Sequence, residues 1–279
     1  MAQVTIVPEV YSSMVTEKVK GMIKISTLAK DLGDLQGNKG DTITFPMFKA
    51  LSDAVLMQKG IALTPEELSQ TSSGKKIVQY GKGVRVYDMD SLTALGQWVE
   101  NGIEQQARIM AHALDNEMVK DIDANAILKV STANAKALTD DELMAGFAMF
   151  GDEQDNGEFS GIIVHSMLAG QFYKMDSFIK NTSTTANAQN GQVVNGCIGY
   201  YRGTIPVILS DVNTYDTTLN ECKSYIIKTN ALGVMPKRDV LVEPDRKADL
   251  KATDIYADYI FACGLIQKDG VCILRKTIA

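Results

Sequence analysis

The chain has 279 residues, 45% of them hydrophobic and 22% charged, with a formal net charge of −6 and a pI near 5.1. A chain of this size and composition buries enough apolar surface to fold without disulfide staples, which excludes disordered, collagenous and small disulfide-bonded classes. The acidic balance argues against a free-standing nucleic-acid binder, which carries a basic face, and leaves open a protein that encloses nucleic acid without gripping it.

Residues 1–10 read as extended, with Pro8 blocking an early helix. They show neither the basic start nor the long apolar run of a secretory signal. A helix is predicted over 10–25, with Tyr11, Val15, Val19 and Met22 on one side. The cluster Asp34-Leu-Gln-Gly-Asn-Lys-Gly-Asp41 is a turn. It leads into a strand over 42–47, where Ile43, Phe45 and Met47 alternate with polar residues or proline; Pro46 places that strand at an edge or a bulge. A second alternating run covers 77–87, with Val78, Tyr80, Val84 and Val86 on one face. Between the two, Thr64-Pro-Glu-Glu67 has the chemistry of a helix start: a capping Thr, Pro in the first position and Glu in the third. Residues 42–88 therefore read as a long hairpin-like excursion carrying one helical turn.

The strongest helix is predicted over 97–129, after a short turn at 91–95 broken by Gly96. Val99, Ile103, Ala107, Met110, Leu114, Met118, Ile122 and Ala126 recur at spacings of three and four. Glu100, Glu104, Arg108, Asn116 and Lys120 take the other side, with Glu104 and Arg108 as an i,i+4 pair. Such a helix spans about 50 Å at roughly 1.5 Å per residue, against a diameter of about 48 Å for a compact chain of this length. A helix as long as the globule, plus an extended arm, implies a flat or elongated subunit whose arm needs partners.

The second half reads as α/β. Thr139-Asp-Asp-Glu142 is a capping box opening a helix through 150. A strand is predicted over 161–165, then a helix capped by Ser166 and running to about residue 175. Residues 181–194 are polar and form a surface loop. Further strands are predicted at 204–210, 224–228, 240–243, 256–263 and 270–275. No apolar run approaches the roughly 20 residues of a membrane span; the best, 255–266, contains Asp258.

Candidate chemistry is sparse. Gly81-Lys-Gly83 precedes a strand, whereas a phosphate loop needs a helix N-terminus behind its glycines, so it reads as a twisted or bulged strand. Asp152 opens a stretch resembling a calcium loop, but position twelve is Ile163 where a bidentate Glu is required. The four cysteines, Cys197, Cys222, Cys263 and Cys272, form no C-x-x-C pair, and the only histidines are His112 and His165, so no zinc site is expected. Cys263 and Cys272 read as small buried hydrophobes, consistent with a reducing cytoplasm. Cys197 or Cys222 with His165 is the one nucleophile pair available to a hydrolase. Basic pairs such as Lys75–Lys76 and Lys237–Arg238 are scattered and not interleaved with aromatics, as a nucleic-acid platform would be. No cofactor, metal or catalytic residue is assigned.

The order of segments resembles the tailed-bacteriophage major capsid proteins of the Hong Kong 97 fold. The matching stretches are Pro8-Glu-Val-Tyr11, Gly40-Asp-Thr-Ile-Thr-Phe-Pro46, Tyr80-Gly-Lys-Gly-Val84 followed by Asp88 and Asp90, and the long helix with Ala113-Leu-Asp-Asn-Glu117. Further on come Gly161-Ile-Ile-Val-His-Ser166, Val242-Glu-Pro-Asp-Arg246 and Gly270-Val-Cys-Ile-Leu274. Together they cover nearly the whole chain.

The resemblance implies an α+β fold in four parts. Residues 1–40 would be an N-terminal arm and lead-in, and 41–90 an extended hairpin (the E-loop) lying over a neighbouring subunit. Residues 91–136 with 251–279 would form a peripheral (P) domain built on the spine helix, and 137–250 an axial (A) domain. It implies subunit contacts through Phe45, Pro46, Tyr80, Lys82 and Arg85. Its partners would be copies of itself in hexamers and pentamers, a separate scaffolding protein, a portal and packaged double-stranded DNA, with no membrane, in a virion assembled in the bacterial cytoplasm. Some relatives cross-link a Lys to an Asn; Lys59, Lys75 and Lys76 lie in the corresponding loop, but nothing marks a cross-link. An encapsulin-type compartment shares the fold and is the alternative, and the Cys/His hydrolase is the alternative from another class.

Overall fold

The computed structural model describes residues 8–33, 42–48, 70–93, 98–152, 154–180 and 196–278, with short stretches at 54, 56–57 and 65–67. Helix α1 (Pro8–Met22) begins at the proline expected to block it. At the first helical position the missing N–H would have lacked a partner, and the fixed φ suits the opening turn. Residues 8–10 are therefore helical rather than extended, and residues 1–7 lie outside the described residues. Tyr11, Val15 and Val19 are all buried, so from Pro8 onward this stretch is part of the body and not a free arm. After α1, Asp115 accepts the backbone N–H groups of Lys24 (3.0 Å) and Ser26 (2.9 Å), drawing the chain onto the spine before β1 (Lys30–Asp31).

Strand β2 (Thr42–Phe48) pairs antiparallel with β3 (Gln70–Lys76), from Thr42 opposite Lys76 to Phe48 opposite Gln70. The sequence QTSSGKK has no apolar alternation, which is why β3 carries no periodic signal. Residues 65–67 are not helical, so the helix start expected there is absent from them; Thr64 lies outside the described residues. Strand β4 (Val78–Tyr87) follows directly. The turn expected at 91–95 is instead a short helix α2 (Asp88–Thr93), with Asp88 and Asp90 at its positive end.

The spine helix α3 (Trp98–Asn125) has 28 residues, about 42 Å. It stops four residues before the expected end. The Asn125 amide folds back onto the Asp121 carbonyl (3.2 Å) and carboxylate (2.9 Å), and Leu128 enters β5 (Leu128–Ser131), which pairs parallel with the last strand. Helix α4 (Asp140–Ala148) opens with the expected capping box, Thr139 and Glu142 each bonding the other's backbone N–H. Strand β6 (Phe159–Val164) is followed by a 3₁₀ turn and a single turn α5 (Ala169–Phe172). The cap expected from Ser166 comes from His165, whose Nδ1 accepts the Met167 N–H at 3.2 Å. Then come β7 (Phe178–Lys180), β8 (Cys197–Tyr201), β9 (Ile205–Leu209), the small hairpin β10 (Tyr215–Asp216) and β11 (Glu221–Cys222), and β12 (Ser224–Lys228). The expected loop at 181–194 lies outside the described residues. Two long strands, β13 (Leu232–Lys247) and β14 (Ala252–Leu265), precede the closing β15 (Val271–Arg275).

Two main sheets result. One has four strands in the order β1-β13-β14-β4, the other seven in the order β5-β15-β12-β6-β9-β8-β7. The boundaries expected at 136/137 and 250/251 do not coincide with them. Strands β5 and β15 stand in the seven-stranded sheet, and β13 pairs along its length with β14. The seven-stranded sheet is buried on both faces, so its strands read as apolar runs rather than as alternation. Ile163, Tyr225, Ile227, Val271 and Ile273 join the core of α1, α3 and the four-stranded sheet. Their neighbours Ile162, Val164, Ile226, Cys272 and Leu274 join a second core under α4 and α5, with Phe147 and Phe172. Among the described residues no helix is long and apolar enough to cross a membrane.

The docking of α1 is testable by contrast. Val15→Asp places a charge in the core and is expected to lower the thermal midpoint by about 10 °C or more. Met14→Asp, at an exposed neighbouring position, is expected to leave it nearly unchanged. Melting curves followed by circular dichroism check both.

Candidate assembly interface

The ribbon of β13 and β14 is long: 16 and 14 residues, against roughly 5–6 for an ordinary strand. Its two flanks differ. On the β13 side, β1 pairs only with Gly233 and Val234. Beyond that the register shifts twice, between Pro236 and Arg238 and between Arg238 and Leu241. Pro236 and Pro244 withhold N–H donors, and the Ser12 hydroxyl donates to the Val240 carbonyl. Bulges, prolines and a covering helix are the devices that blunt an edge. On the other side, β4 pairs with β14 over ten consecutive residues with no bulge and no proline, and among the described residues no strand covers its outer edge.

The residues expected at subunit contacts divide sharply. Phe45 is fully buried, and its ring packs with Ile43, Ala262 and Ile266 inside its own chain. Pro46 lies in β2 opposite Ser72. Tyr80 is half-buried. Its ring stacks on Phe261 at 5.9 Å, and its hydroxyl donates to Glu117 Oε1 on α3 at 2.5 Å. That hydrogen bond to a carboxylate, with burial, pushes the phenol from 10.0 up to about 12. Lys82 is exposed, and its carbonyl accepts from the Gln106 amide at 3.2 Å. Arg85 lies on the outer face of β4, with Nε 2.6 Å and Nη2 2.8 Å from the two oxygens of Asp254.

This outer face is electrostatically self-contained. The bond from Arg85 holds Asp254 below the usual carboxylate range, and Asp254 in turn raises Arg85. Arg246 grips Asp88 with both nitrogens (2.7 and 2.5 Å), holding it low as well. Arg238 and Gln79 both donate to Asp258. Tyr256 lies over Gly83 so closely that a Cβ there would meet its ring at 2.8 Å. With Arg85, Arg238 and Arg246 paired within the chain, this face offers a neighbour a backbone edge and the exposed Lys82. Large apolar side chains stand in solvent elsewhere: Leu56 is 88% exposed, Met89 71% and Met57 69%.

The nucleophile pair is not assembled. Burial pushes the thiols of Cys197 and Cys222 up, away from the reactive thiolate. Cys197 Sγ points at the Gly199 carbonyl (3.4 Å). His165 uses Nδ1 to cap its own turn, and burial lowers its pKa. Cys263 and Cys272 are buried, as expected.

Polar side chains of α3 other than those of its outward side hold the spine in place. Gln106 is fully buried; it accepts from the Tyr11 hydroxyl (2.8 Å) and donates to the carbonyls of Lys82 and Ile255. Asp121 accepts Lys75 Nζ (2.5 Å) and the Leu265 N–H (2.6 Å). Asp123 accepts Lys223 Nζ (2.7 Å) and the Tyr225 hydroxyl (2.9 Å). The available signal was a polar residue inside an apolar stripe: Gln106 between Ile103 and Met110, Asp115 beside Leu114.

A spine helix laid against a long β-ribbon, a second sheet buried on both faces and a hairpin leading away define a shell-forming capsid subunit of the Hong Kong 97 type. The chain belongs to the phage capsid protein family, whose model matches residues 70–274. It is 25% identical over 273 residues to the major capsid protein of Staphylococcus phage phiMR11, covering 97% of this chain and 93% of that one. Among solved structures it is similar in fold to the capsid of cyanophage P-SCSP1u (TM-score 0.64, 12% identity, 92% of this chain and 89% of the other). It is likewise similar to Gordonia phage Cozz (TM-score 0.64, 14% identity, 91% and 86%) and to a virus-like particle from Pyrococcus furiosus (TM-score 0.58, 12% identity, 96% and 98%).

Because the folded state holds Tyr80 near 12 against 10.0 for a free phenol, its stabilising contribution is complete below pH 10 and lost as pH rises through about 12. Alkaline unfolding of the subunit is expected to lose this component in Tyr80→Phe. Phenolate absorbance is expected to show one tyrosine titrating earlier in Glu117→Gln.

Proposed function

We propose that many copies of this chain close, as hexamers and pentamers, into the icosahedral head shell that encloses the double-stranded DNA of a tailed bacteriophage. The observation that carries this reading is that, among the described residues, the ten-residue outer edge of β4 is uncovered, and that Leu56 and Met57, between β2 and β3, stand in solvent. Both are liabilities in a lone molecule and assets in a shell where each subunit covers its neighbour. In this assignment the excursion is the E-loop. The four-stranded sheet with α1 and α3 is the peripheral body, and the seven-stranded sheet with α4 and α5 is the axial part, a division by sheets rather than at residues 136 and 250. Pro46, Lys82 and Arg85 are the proposed contact residues. A separate scaffolding protein, a portal and packaged DNA are the further partners. The role is structural, with no catalytic step, and the shell assembles in the host bacterial cytoplasm. Family membership and the phiMR11 relative favour a phage head over a cargo compartment, although the fold is shared with a virus-like particle.

The test is electron microscopy after size-exclusion chromatography, with and without co-expressed scaffold. The expected outcome is shells or capsomer rings. Leu56→Asp with Met57→Asp is expected to abolish them while leaving the melting curve of the subunit unchanged, since both side chains are solvent-exposed. A chain that stays monomeric with scaffold present would overturn the reading.

A further inference from the structure

The β2–β3 hairpin meets the body at a small apolar patch and at a buried charge. Ile43 and Phe45 pack on Ala262 and Ile266. Lys75, one residue before the end of β3, brings its ammonium to 2.5 Å from Asp121 Oδ2 on the spine, with only 8% of its side chain exposed. The same oxygen accepts the Leu265 N–H at 2.6 Å, and Oδ1 accepts from Asn125 at 2.9 Å. Gly264 makes room for this arrangement. A Cβ there would lie 2.5 Å from Asp121 Oδ2 and 2.9 Å from Lys75 Cε. Four residues earlier on α3, Glu117 takes the Tyr80 hydroxyl. The chain is thus pinned to neighbouring turns of the spine on either side of the β3–β4 junction. Lys76, next to Lys75, is exposed.

We propose that the Lys75–Asp121 pair is a latch that fixes the direction of the hairpin relative to the spine helix, and through it the angle at which neighbouring subunits meet. This rests on the shell reading above. Apolar contact is non-directional, so the patch around Phe45 holds the hairpin base without fixing its angle. A buried ion pair is different. It is satisfied in one geometry, and separating the charges leaves the Lys75 ammonium, only 8% exposed, without its counter-charge. Gly264 leaves no alternative seat for the carboxylate, because the Leu265 N–H and Asn125 hold it from two further sides. In a closed shell of hexamers and pentamers neighbouring subunits meet at a small set of related angles, so a loosened hinge shows as altered closure.

The latch is tested by Lys75→Met, which keeps an unbranched, slightly shorter side chain and removes its charge, with Lys76→Met as control. The first readout is amide hydrogen exchange on the unassembled subunit. Lys75→Met is expected to speed exchange in β2 and β3 by at least about tenfold, with β12 and the centre of α3 unchanged and Lys76→Met like the parent. The second readout is shell diameter by electron microscopy. The parent is expected to give one size, and Lys75→Met several sizes or open sheets. Should Lys75→Met not fold, Gly264→Ala, which crowds the same pair from β14, is measured in the same way. Equal acceleration across hairpin, α3 and β12 would reduce the pair to a general stability contact and overturn the latch, as would parental exchange with parental shells. If the parent forms no shells even with co-expressed scaffold, the shell reading fails, while the exchange result still decides whether the pair holds the hairpin.

Discussion

A long helix pressed between two sheets cannot leave its polar side chains unanswered, because a buried donor or acceptor without a partner costs about as much as several good contacts return. In α3 each such group is answered by a different part of the chain. Gln106 takes the Tyr11 hydroxyl from the first helix and supplies two carbonyls of the β4–β14 pair. Asp115 holds the turn after α1, Glu117 the β4 strand, Asp121 the end of β3 and of β14, and Asp123 the β12 strand. The spine is therefore the common reference to which segments from residue 11 to residue 265 are indexed. Its apolar side supplies adhesion, and its polar side supplies register.

The seven-stranded sheet depends on that reference. One of its faces closes the spine core through Tyr225 and Ile273, and the other closes the α4 core through Ile226 and Leu274. Successive residues of β12 and β15 alternate between the two cores, so both cores share these strands. Glu221 extends this coupling to the β10–β11 hairpin. Burial alone would raise its carboxyl, but Arg275 and the Thr277 N–H outweigh burial and hold it low, tying the hairpin to the closing strand.

Much of this was legible in the residues, for physical reasons. The spine's three-and-four spacing, the Thr139 capping box, the apolar run of β12 and the alternation of Val78, Tyr80, Val84 and Val86 all report local burial, which periodicity encodes directly. What escaped reading depends on distant partners. Strand β3 is polar throughout and exists because β2 lies beside it. Leu128 leaves the helical pattern because β15 offers a parallel ladder. Lys75 reads as one of a solvated pair until α3 and Gly264 close around it. Pro8 was misjudged for another reason: the same ring that breaks a helix interior favours its first turn, and only the position of the end decides between them.

The unequal edges of the four-stranded sheet set its valence. Among the described residues, bulges, prolines and Ser12 close the β13 side while the outer edge of β4 is left uncovered, so strand addition is open along β4. A monomer with two such ends polymerises without limit into a cross-β ribbon. A monomer with one stops after the first partner. Backbone pairing through this sheet is therefore chain-terminating by construction, and extended order must be carried by other surfaces whose geometry can close on itself. The same asymmetry that leaves one edge open for a neighbour keeps free subunits from stacking edge to edge without end.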